Sequence, residues 1–290
     1  MATLPTIQRQ DSAICMPAVD GRKPTSFTSL PAELRIHILE HVFTDSHAQD
    51  GFLNHGDSSG IHLGEDYTAA AAKLNVLLTC QQSYHDGCLL AFNRTNFVVS
   101  NMFFDIPARL SVLHPKQIEA IRSLAFVADN RHFKKLLGWG EHPFGMSSLQ
   151  LNTLTIVLHR SSRWHYLFDF TADIVKLLRQ LEGVKRFVIV RNAALVKGSL
   201  KTWYNRLVAL ILKIDHQERY DKKPANPEKT WWSWSFDEVA QSIILEARPS
   251  KPTIDEESYM QQVLPLMEDL KSSIESEEWN PDPRSRYMYY

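Results

Sequence analysis

The stretch LNTLTIVL, residues 151–158, is a short run of β-branched and aliphatic residues, which is typical of a buried strand. Two similar runs flank it, IRSLAFV at 121–127 and VKRFVIV at 184–190. Their starts lie about 30 residues apart, which is the spacing of strand–helix–strand crossovers in a parallel sheet. The same rhythm is similar to a few irregular turns of a solenoid, although the leucines do not follow a regular leucine-rich spacing.

The segments after these runs complete the fold prediction. Amphipathic stretches at 170–181 and 200–214 predict helices, and Gly183 is a plausible stop for the first. In WWSWSF, residues 231–236, an extended chain places alternate aromatic residues on one face, so we expect a strand that closes an edge of the core. The predicted fold class is α/β (or α+β), with a small N-terminal helical unit packed on an irregular α/β region whose short sheet is mainly parallel.

Composition shifts divide the chain into four predicted parts. Residues 1–25 are polar and aperiodic and are expected to be a disordered lead-in. Residues 26–105 form the helical unit, interrupted by a Gly-, Asp- and His-rich loop at 44–66. Residues 106–250 form the α/β body. Residues 251–290 form an acidic helical tail, either with a solvated acidic face or docked onto the body.

The first helix is predicted over residues 28–43, with Thr28 or Ser29 as its cap and Pro31 in its first turn. At about 100° per residue its apolar residues fall into two sectors. One sector consists of Leu30, Leu34, Ile38 and Val42, and the other of Ile36, Leu39 and Phe43. A surface helix needs an apolar arc of only about 100°. We therefore expect this helix to be covered on two sides, either wholly by its own domain or partly by a partner.

The second helix is predicted over residues 67–92, followed by a short strand at 96–99. Its expected apolar stripe is formed by Leu74, Leu77, Leu78, Tyr84, Cys88, Leu89 and Phe92. Gln81 and His85 fall on the same stripe without an evident reason, and Gly87 is expected to weaken or bend the helix.

The overall charge and the cysteines limit the class of protein. The formal net charge is −1, although residues 255–278 alone carry eight acids and one base. This balance gives no general reason to expect a nucleic acid or a membrane as partner. Three cysteines without a CxxC motif favour a reduced intracellular setting, in the cytoplasm or nucleus. No run reaches the roughly 18 apolar residues of a membrane span, and the first residues do not resemble a signal peptide.

Motifs that could carry catalysis or hold a metal lack their structural context. Gly56–Gly60 fits G-x-S-x-G around Ser58, but no convincing strand precedes it. His37 and His41 could share a metal, yet Ile38 stands where a zinc protease has its glutamate. Cys80 and Cys88 are better explained as small buried apolar residues. We therefore expect no enzyme, no cofactor and no metal.

Basic residues form two modest clusters. They are Arg131, Lys134 and Lys135, and then Lys185, Arg186 and Arg191. Nucleic-acid binding would require such residues on one face beside stacking aromatic rings. Ordinary solvated positions explain them without that, so we expect no nucleic acid as partner.

SLPAELRIHILEHVF, residues 29–43, resembles the first helix of F-box domains, whose pattern is Leu-Pro, an acidic residue two positions on, and then spaced aliphatic residues. LNVLLTCQQSYHDGCLLAFNRTNFVV, residues 74–99, is similar to the following segment in a large group of fungal F-box-like proteins. In that group, leucines, Thr-Cys, two polar residues and Tyr lead to a Phe-containing strand. IRSLAF and LNTLTIVL also resemble this group.

The resemblance implies a protein-interaction adaptor. In the F-box family the helical domain docks on the linker subunit of a cullin-based ubiquitin ligase, and the C-terminal part holds a substrate protein. The docking positions that match here are Leu30, Pro31, Leu34 and Ile38, with Leu39 and Val42 beside them. The chain departs from a compact F-box because residues 44–66 separate its two helices.

Two other functions remain open on the sequence alone. One is a self-contained protein-binding or scaffold domain with no ligase role, in which the body would cover both sectors of the first helix. The other is an enzyme, for which Ser58 or a histidine site would supply the catalytic residues.

Overall fold

A computed structural model describes residues 26–44, 52–54, 60–64, 74–160, 163–164, 167–196 and 199–279. The strands are β1 Phe52–Asn54, β2 Ile61–Leu63, β3 Asn96–Val99, β4 Ser123–Ala128, β5 Leu151–Leu158, β6 Arg163–Trp164, β7 Val184–Val190, β8 Leu195–Val196, β9 Thr230–Asp237 and β10 Ser242–Pro249. Two short strand pairs accompany the main sheet: β1 with β2, and β6 with β8.

The main sheet has six strands in the order β3-β4-β5-β7-β10-β9. The first four run parallel, whereas β10 is antiparallel to both β7 and β9. The predicted α/β class with a mainly parallel sheet is therefore confirmed. Because the four parallel strands follow one another in chain order, right-handed crossovers place every connecting helix on the same face.

The helices of the described residues are α1 Ala32–Phe43, α2 Gln81–Arg94, α3 Ile106–Leu110, α4 Pro115–Ala120, α5 Asn130–Leu136, α6 Thr171–Gln180, α7 Leu200–His216 and α8 Glu256–Trp279. They do not all share one core, because α1 packs with α2 in one smaller cluster and α8 packs on α7 in another. The buried core joins α3 to α7 with alternate residues of the strands, such as Phe126, Ile156 and Ile189, which are aligned across β4, β5 and β7. This alternation is what the strand period of two requires.

Two of the predicted strands match the structure residue for residue. They are 151–158 and 184–190, while the run at 121–127 begins later, at Ser123. The aromatic row of β9 lies at the sheet edge and faces the core, as expected. The prediction missed β10, because its hairpin turn carries no glycine or proline. Gln241 instead adopts the left-handed conformation (φ 50°), and the Asp237 side chain accepts two backbone hydrogen bonds in the turn.

The second helix is not continuous over residues 67–92, as was predicted, because the chain has a break before Gln81. Residues 65–73 lie outside the described part of the chain, a short 3-10 turn covers Asn75–Leu78, and α2 begins only at Gln81. Cys80 precedes α2 in an extended conformation, and its Sγ accepts a hydrogen bond from the Ser83 backbone N–H at 3.3 Å. The sulfur thus serves as the helix cap, a role that sequence rules give to serine, threonine, asparagine and aspartate.

The opposite face of the sheet is partly covered by the β1–β2 hairpin, which falls within the stretch 44–66 predicted as a loop. Leu63 packs with Val127 and Val157 of the sheet. The Leu63 N–H donates to Asn192 Oδ1 at 2.8 Å, and the Ile61 N–H donates to the Ala240 carbonyl at 3.0 Å. This part of the stretch is therefore a hairpin fixed to the body.

The predicted units at 26–105 and 106–250 share one sheet, because β3 pairs with β4. The predicted tail contains α8, which packs on α7 through Tyr259 and Val263. The lead-in at 1–25 lies outside the described residues.

A buried polar network fixes the start of α8. The carboxylate of Asp215 accepts hydrogen bonds from Arg179 at 2.9 Å, from Arg219 at 3.1 Å and from the Tyr259 hydroxyl. Arg219 also pairs with Glu228 at 2.6 Å. Each buried charge thus has an opposite partner, which is the condition for tolerating it in a core. Glu257, Glu268 and Glu275 of α8 stay exposed, so the helix docks by its apolar side.

Within the described segments, none of the helices combines the length and the apolar character that crossing a bilayer requires.

Candidate functional site

The start of α1 is set by Pro31. A 3-10 turn over Phe27–Ser29 leads into it, and the Pro31 carbonyl accepts hydrogen bonds from Leu34 and Arg35, both at 3.1 Å. Pro31 itself occupies the N-cap, and no side chain caps the helix. The predicted caps Thr28 and Ser29 are therefore wrong: both residues belong to the preceding turn. Glu33 in the first turn is favourably placed against the helix dipole.

The inner face of α1 is small and tightly packed on α2. Leu39 (1% exposed) and Phe43 are buried together with Leu77 and Ala91. Gly87 of α2 lies directly beneath them, since a Cβ added there would be 3.0 Å from Leu39 Cδ1. The glycine that was expected to weaken α2 is thus a position at which α1 packs closely on α2.

Polar contacts fix the orientation of α1 on α2. Arg35 Nε donates to Asp86 Oδ2 at 2.7 Å, and Gln82 Nε2 donates to the other carboxylate oxygen at 2.8 Å. The Arg35 hydrogen bond, and then that of Gln82, lowers the pKa of Asp86 to about 2. Arg94 pairs with Glu40 at 3.0 Å near the other end. Because these pairs and the buried cluster act along the same interface, the outer side of α1 has a defined orientation.

Four aliphatic residues of α1 are left exposed by all of the described residues around them. Leu34, Ile36, Ile38 and Val42 are each between 41% and 51% exposed. Leu34, Ile38 and Val42 succeed one another at four-residue spacing and so form one row, while Ile36 lies on another side of the helix. Pro31 is also exposed and Leu30 is half-buried at the start of the same row. Single exposed aliphatic residues are ordinary, but an aligned row on a rigid helix suits a binding surface.

The residues predicted to bind a partner therefore separate into two groups. Leu30, Pro31, Leu34, Ile38 and Val42 remain accessible to different extents. The prediction for Leu39 is wrong, because its side chain is enclosed by the α1–α2 cluster and cannot reach another molecule. The exposed members, Pro31, Leu34, Ile38 and Val42, are named the outer row of α1.

Three residues of the apolar stripe predicted for the second helix are exposed in the structure. They are Leu78, Tyr84 and Leu89. The expected stripe assumed one continuous helix, but the break at Cys80 changes the helical phase, so these side chains turn outward. The same break explains Gln81 and His85, which are exposed rather than buried on a stripe.

The residues weighed for catalysis or metal binding do not come together in the described part of the chain. Ser58 lies outside the described residues. His37 and His41 are exposed, with ring centroids 5.0 Å apart. Cys80 caps a helix, and Cys88 accepts a hydrogen bond from Gln117 at 3.6 Å. His37 Nδ1 also lies 3.5 Å from Glu40 Oε2, but among the described residues these side chains do not form a group of three potential metal ligands.

One cluster of potential metal ligands does occur, formed by Glu141, His142 and Glu182. The Lys229 ammonium lies 2.7 Å from Glu141 and 3.3 Å from Glu182. A lysine bound between the two carboxylates already supplies the positive charge that a cation would bring, so the cluster is better explained as an ion-pair group.

The two predicted basic clusters differ in whether their residues lie together in the structure. Lys185 and Arg186 are exposed near the start of β7, whereas Arg191 is buried beyond its end and donates to the Ala194 carbonyl at 3.1 Å. They do not form a single surface. Arg131, Lys134 and Lys135, in contrast, lie together on α5.

A groove of about 610 Å³ lies between α7 and α8. Aliphatic residues and methionines of both helices line it, such as Leu212, Met260 and Met267. Its lining also includes charged residues of both helices, Lys213, Lys271 and Glu275, and His216, whose Nε2 lies 2.8 Å from Glu256 Oε1.

No protein-family profile, no curated protein and no solved structure matches the chain.

Proposed function

We propose that the chain is an F-box-like protein-interaction adaptor and, more specifically, that the outer row of α1 docks on the linker subunit of a cullin-based ubiquitin ligase. The α/β body would then present a substrate protein. The proposal includes no catalytic step and no cofactor, and it places the protein inside the cell, in the cytoplasm or nucleus. The observation that carries it is the exposed aliphatic row on a helix whose other side is fixed.

The energetics of the outer row support a docking role. Burying an aliphatic side chain completely contributes about 1.5–3 kcal/mol. The outer-row side chains retain roughly half of their surface, so a partner that covered them would gain a substantial part of this contribution at each position. Because α1 is already oriented by Arg35, Asp86 and the Leu39–Phe43 packing, little ordering would oppose binding.

A protein-binding scaffold without a ligase role is the second candidate, and one observation favours it. The β1–β2 hairpin, which follows α1, is anchored to the sheet by Leu63 and Ile61. The helical unit is thus built into the body, unlike a compact F-box. This candidate also predicted that α1 is enclosed on all sides, whereas Leu34 and Ile38 are exposed.

The test is co-elution of the purified chain with the purified linker subunit on size exclusion. The wild-type chain is expected to form a complex, and Ile38→Asp, alone or with Leu34→Asp, is expected to abolish it. His37→Asp is the matched control, because it introduces the same side chain one position away, on an exposed residue outside the row. Absence of a complex with the wild-type chain excludes the ligase role, and equal loss in both variants excludes the outer row as the contact.

A further inference from the structure

The segment that follows β3 exposes two adjacent aromatic residues. Phe103 is 74% exposed and Phe104 is 45% exposed. Each ring has a guanidinium group over one face: Arg131 lies 5.1 Å from the Phe103 centroid, and Arg109 lies 4.7 Å from the Phe104 centroid. Large aromatic side chains at the surface beside cations are enriched at binding interfaces.

One recess beside Phe104, here called the aromatic pocket, has a volume of about 360 Å³. Its wall includes Phe126, Trp139 and Phe144, with the Trp139 and Phe144 ring centroids 4.4 Å apart. Phe144 has a positive φ of 55°, a conformation that bulky residues rarely adopt. The volume lies within the range of ligand pockets, and the walls are apolar enough to hold a bulky side chain.

A second recess, here called the aliphatic pocket, has a volume of about 220 Å³ on the other side of Phe104. Phe104 and Ile106 line both recesses, so they form the partition between them. The remaining lining is apolar apart from Arg109, and includes Phe97 and Leu113. Two neighbouring apolar recesses can hold two anchor side chains of one bound segment.

The rim of this double recess is cationic. Lys134 and Lys135 line the aromatic pocket and Arg109 lines the aliphatic pocket, and none of the three forms an ion pair with another described residue. One exposed carboxylate, Asp105, also lines the aromatic pocket and accepts a hydrogen bond from the Ala108 N–H, which leaves its charge in place, so three basic side chains stand against one acid. Asp129 is paired with Arg131 and His132. In a chain whose net charge is −1, this surface therefore has local positive charge available for an anionic partner.

We infer that the double recess binds an acidic peptide segment that carries two bulky apolar side chains, one for each pocket. The charge complementarity selects an acidic partner, and the two recesses select side-chain anchors. A single-stranded nucleic acid is disfavoured, because it would stack bases on ring faces, and a guanidinium group already lies over one of the two faces of each exposed ring, Phe103 and Phe104. The inference does not depend on the ligase, since the outer row of α1 takes no part in it.

The test is fluorescence anisotropy of labelled probes with the full chain. The probes are a short Glu/Asp-rich peptide containing one Phe and one Leu, the same peptide with both apolar residues replaced by Ser, the same peptide with its acids replaced by Lys, and an oligouridine RNA. The first peptide is expected to bind at least several-fold more tightly than the other three. Equal or tighter binding of the Ser peptide, the Lys peptide or the RNA overturns the inference, as does absence of binding by the first peptide.

Two variants locate the binding on the surface. Lys134→Glu with Lys135→Glu is expected to weaken the first peptide several-fold, whereas the same double reversal at Lys185 and Arg186, exposed near the start of β7, is expected to leave it unchanged. Gly138→Leu is expected to weaken binding without unfolding the chain, because Gly138 lines the aromatic pocket and an added Cβ meets no atom within 4 Å. Equal effects of the two double reversals overturn the assignment.

The same variants separate this inference from the proposed function. Ile38→Asp is expected to leave peptide binding unchanged, and the Lys134/Lys135 reversal is expected to leave the complex with the linker subunit unchanged. Loss of both activities in either variant contradicts the separation of the two surfaces.

Discussion

Two amphipathic helices of this protein differ sharply in how much of their apolar surface the fold uses. In α6 every large aliphatic residue is buried: Ile174, Val175, Leu177 and Leu178. In α1 the buried large apolar residues are Leu39 and Phe43, and the exposed ones are Leu34, Ile36, Ile38 and Val42. The cause is the number of neighbours, because α6 packs on α7 and β9 whereas α1 packs mainly on α2. The comparison indicates that α6 serves the core alone, while α1 has apolar surface that the core does not require.

The largest effect should come from testing the same substitution on both helices. Leu178→Ala is expected to lower the free energy of unfolding by about 2–5 kcal/mol, since it removes buried contacts and leaves a cavity. Leu34→Ala removes the same atoms from an exposed position and should change stability by no more than about 0.5 kcal/mol. Urea unfolding of both variants measures this. Similar losses would show that the outer row of α1 belongs to a core after all.

A smaller effect should follow from crowding the inner face of α1. Gly87→Val is expected to destabilise by about 1–3 kcal/mol, because its side chain would be forced against Leu39 and Leu77. Gly138→Val provides the control, since a Cβ at that glycine contacts no atom within 4 Å. Thermal unfolding of the two variants compares them. A Gly87→Val chain as stable as the control would mean that α1 is not closely packed on α2.

The smallest effect concerns the pH dependence of the α1–α2 contact. The pKa of Asp86 is lowered from 3.8 to about 2, chiefly by its hydrogen bond from Arg35, so its contribution to stability is complete above the unfolded pKa. That contribution is lost as the pH falls from about 4 towards about 2. The stability difference between the wild-type chain and Asp86→Asn should therefore be constant near neutral pH and shrink across this acidic range. Urea midpoints at several pH values measure it, and a difference that grows on acidification contradicts the sign.

The strands could be predicted because their cause is local. LNTLTIVL and VKRFVIV are short β-branched runs with polar boundaries, and both form strands over the predicted residues. The turn before β10 and the break before α2 could not be predicted in the same way. A glutamine in the left-handed conformation and a cysteine sulfur as helix cap depend on surroundings that sequence rules assign to other residue types.

The candidate site was only partly predictable from the sequence. Helical periodicity separated the Leu34–Ile38 sector of α1 from the Leu39–Phe43 sector, but it could not decide which of them α2 would cover. That choice depends on Gly87, which packs on Leu39, and on the Arg35–Asp86 pair, and these contacts join residues about fifty positions apart in the chain. The double recess at Phe104 was missed for a related reason, since α3, α5 and β4 come together there only in the folded chain.

Hydroxyl-radical footprinting of the chain, alone and mixed with the ligase linker subunit, tests the role of α1 most directly. In the free chain, Leu34, Ile38 and Val42 should be labelled, whereas Leu39 and Phe43 should stay protected as internal references. On mixing, the label on the three exposed residues should fall while the references do not change. Protection of Leu34 and Ile38 in the free chain, or labelling of all three that the subunit leaves unaltered, would contradict a docking role for α1.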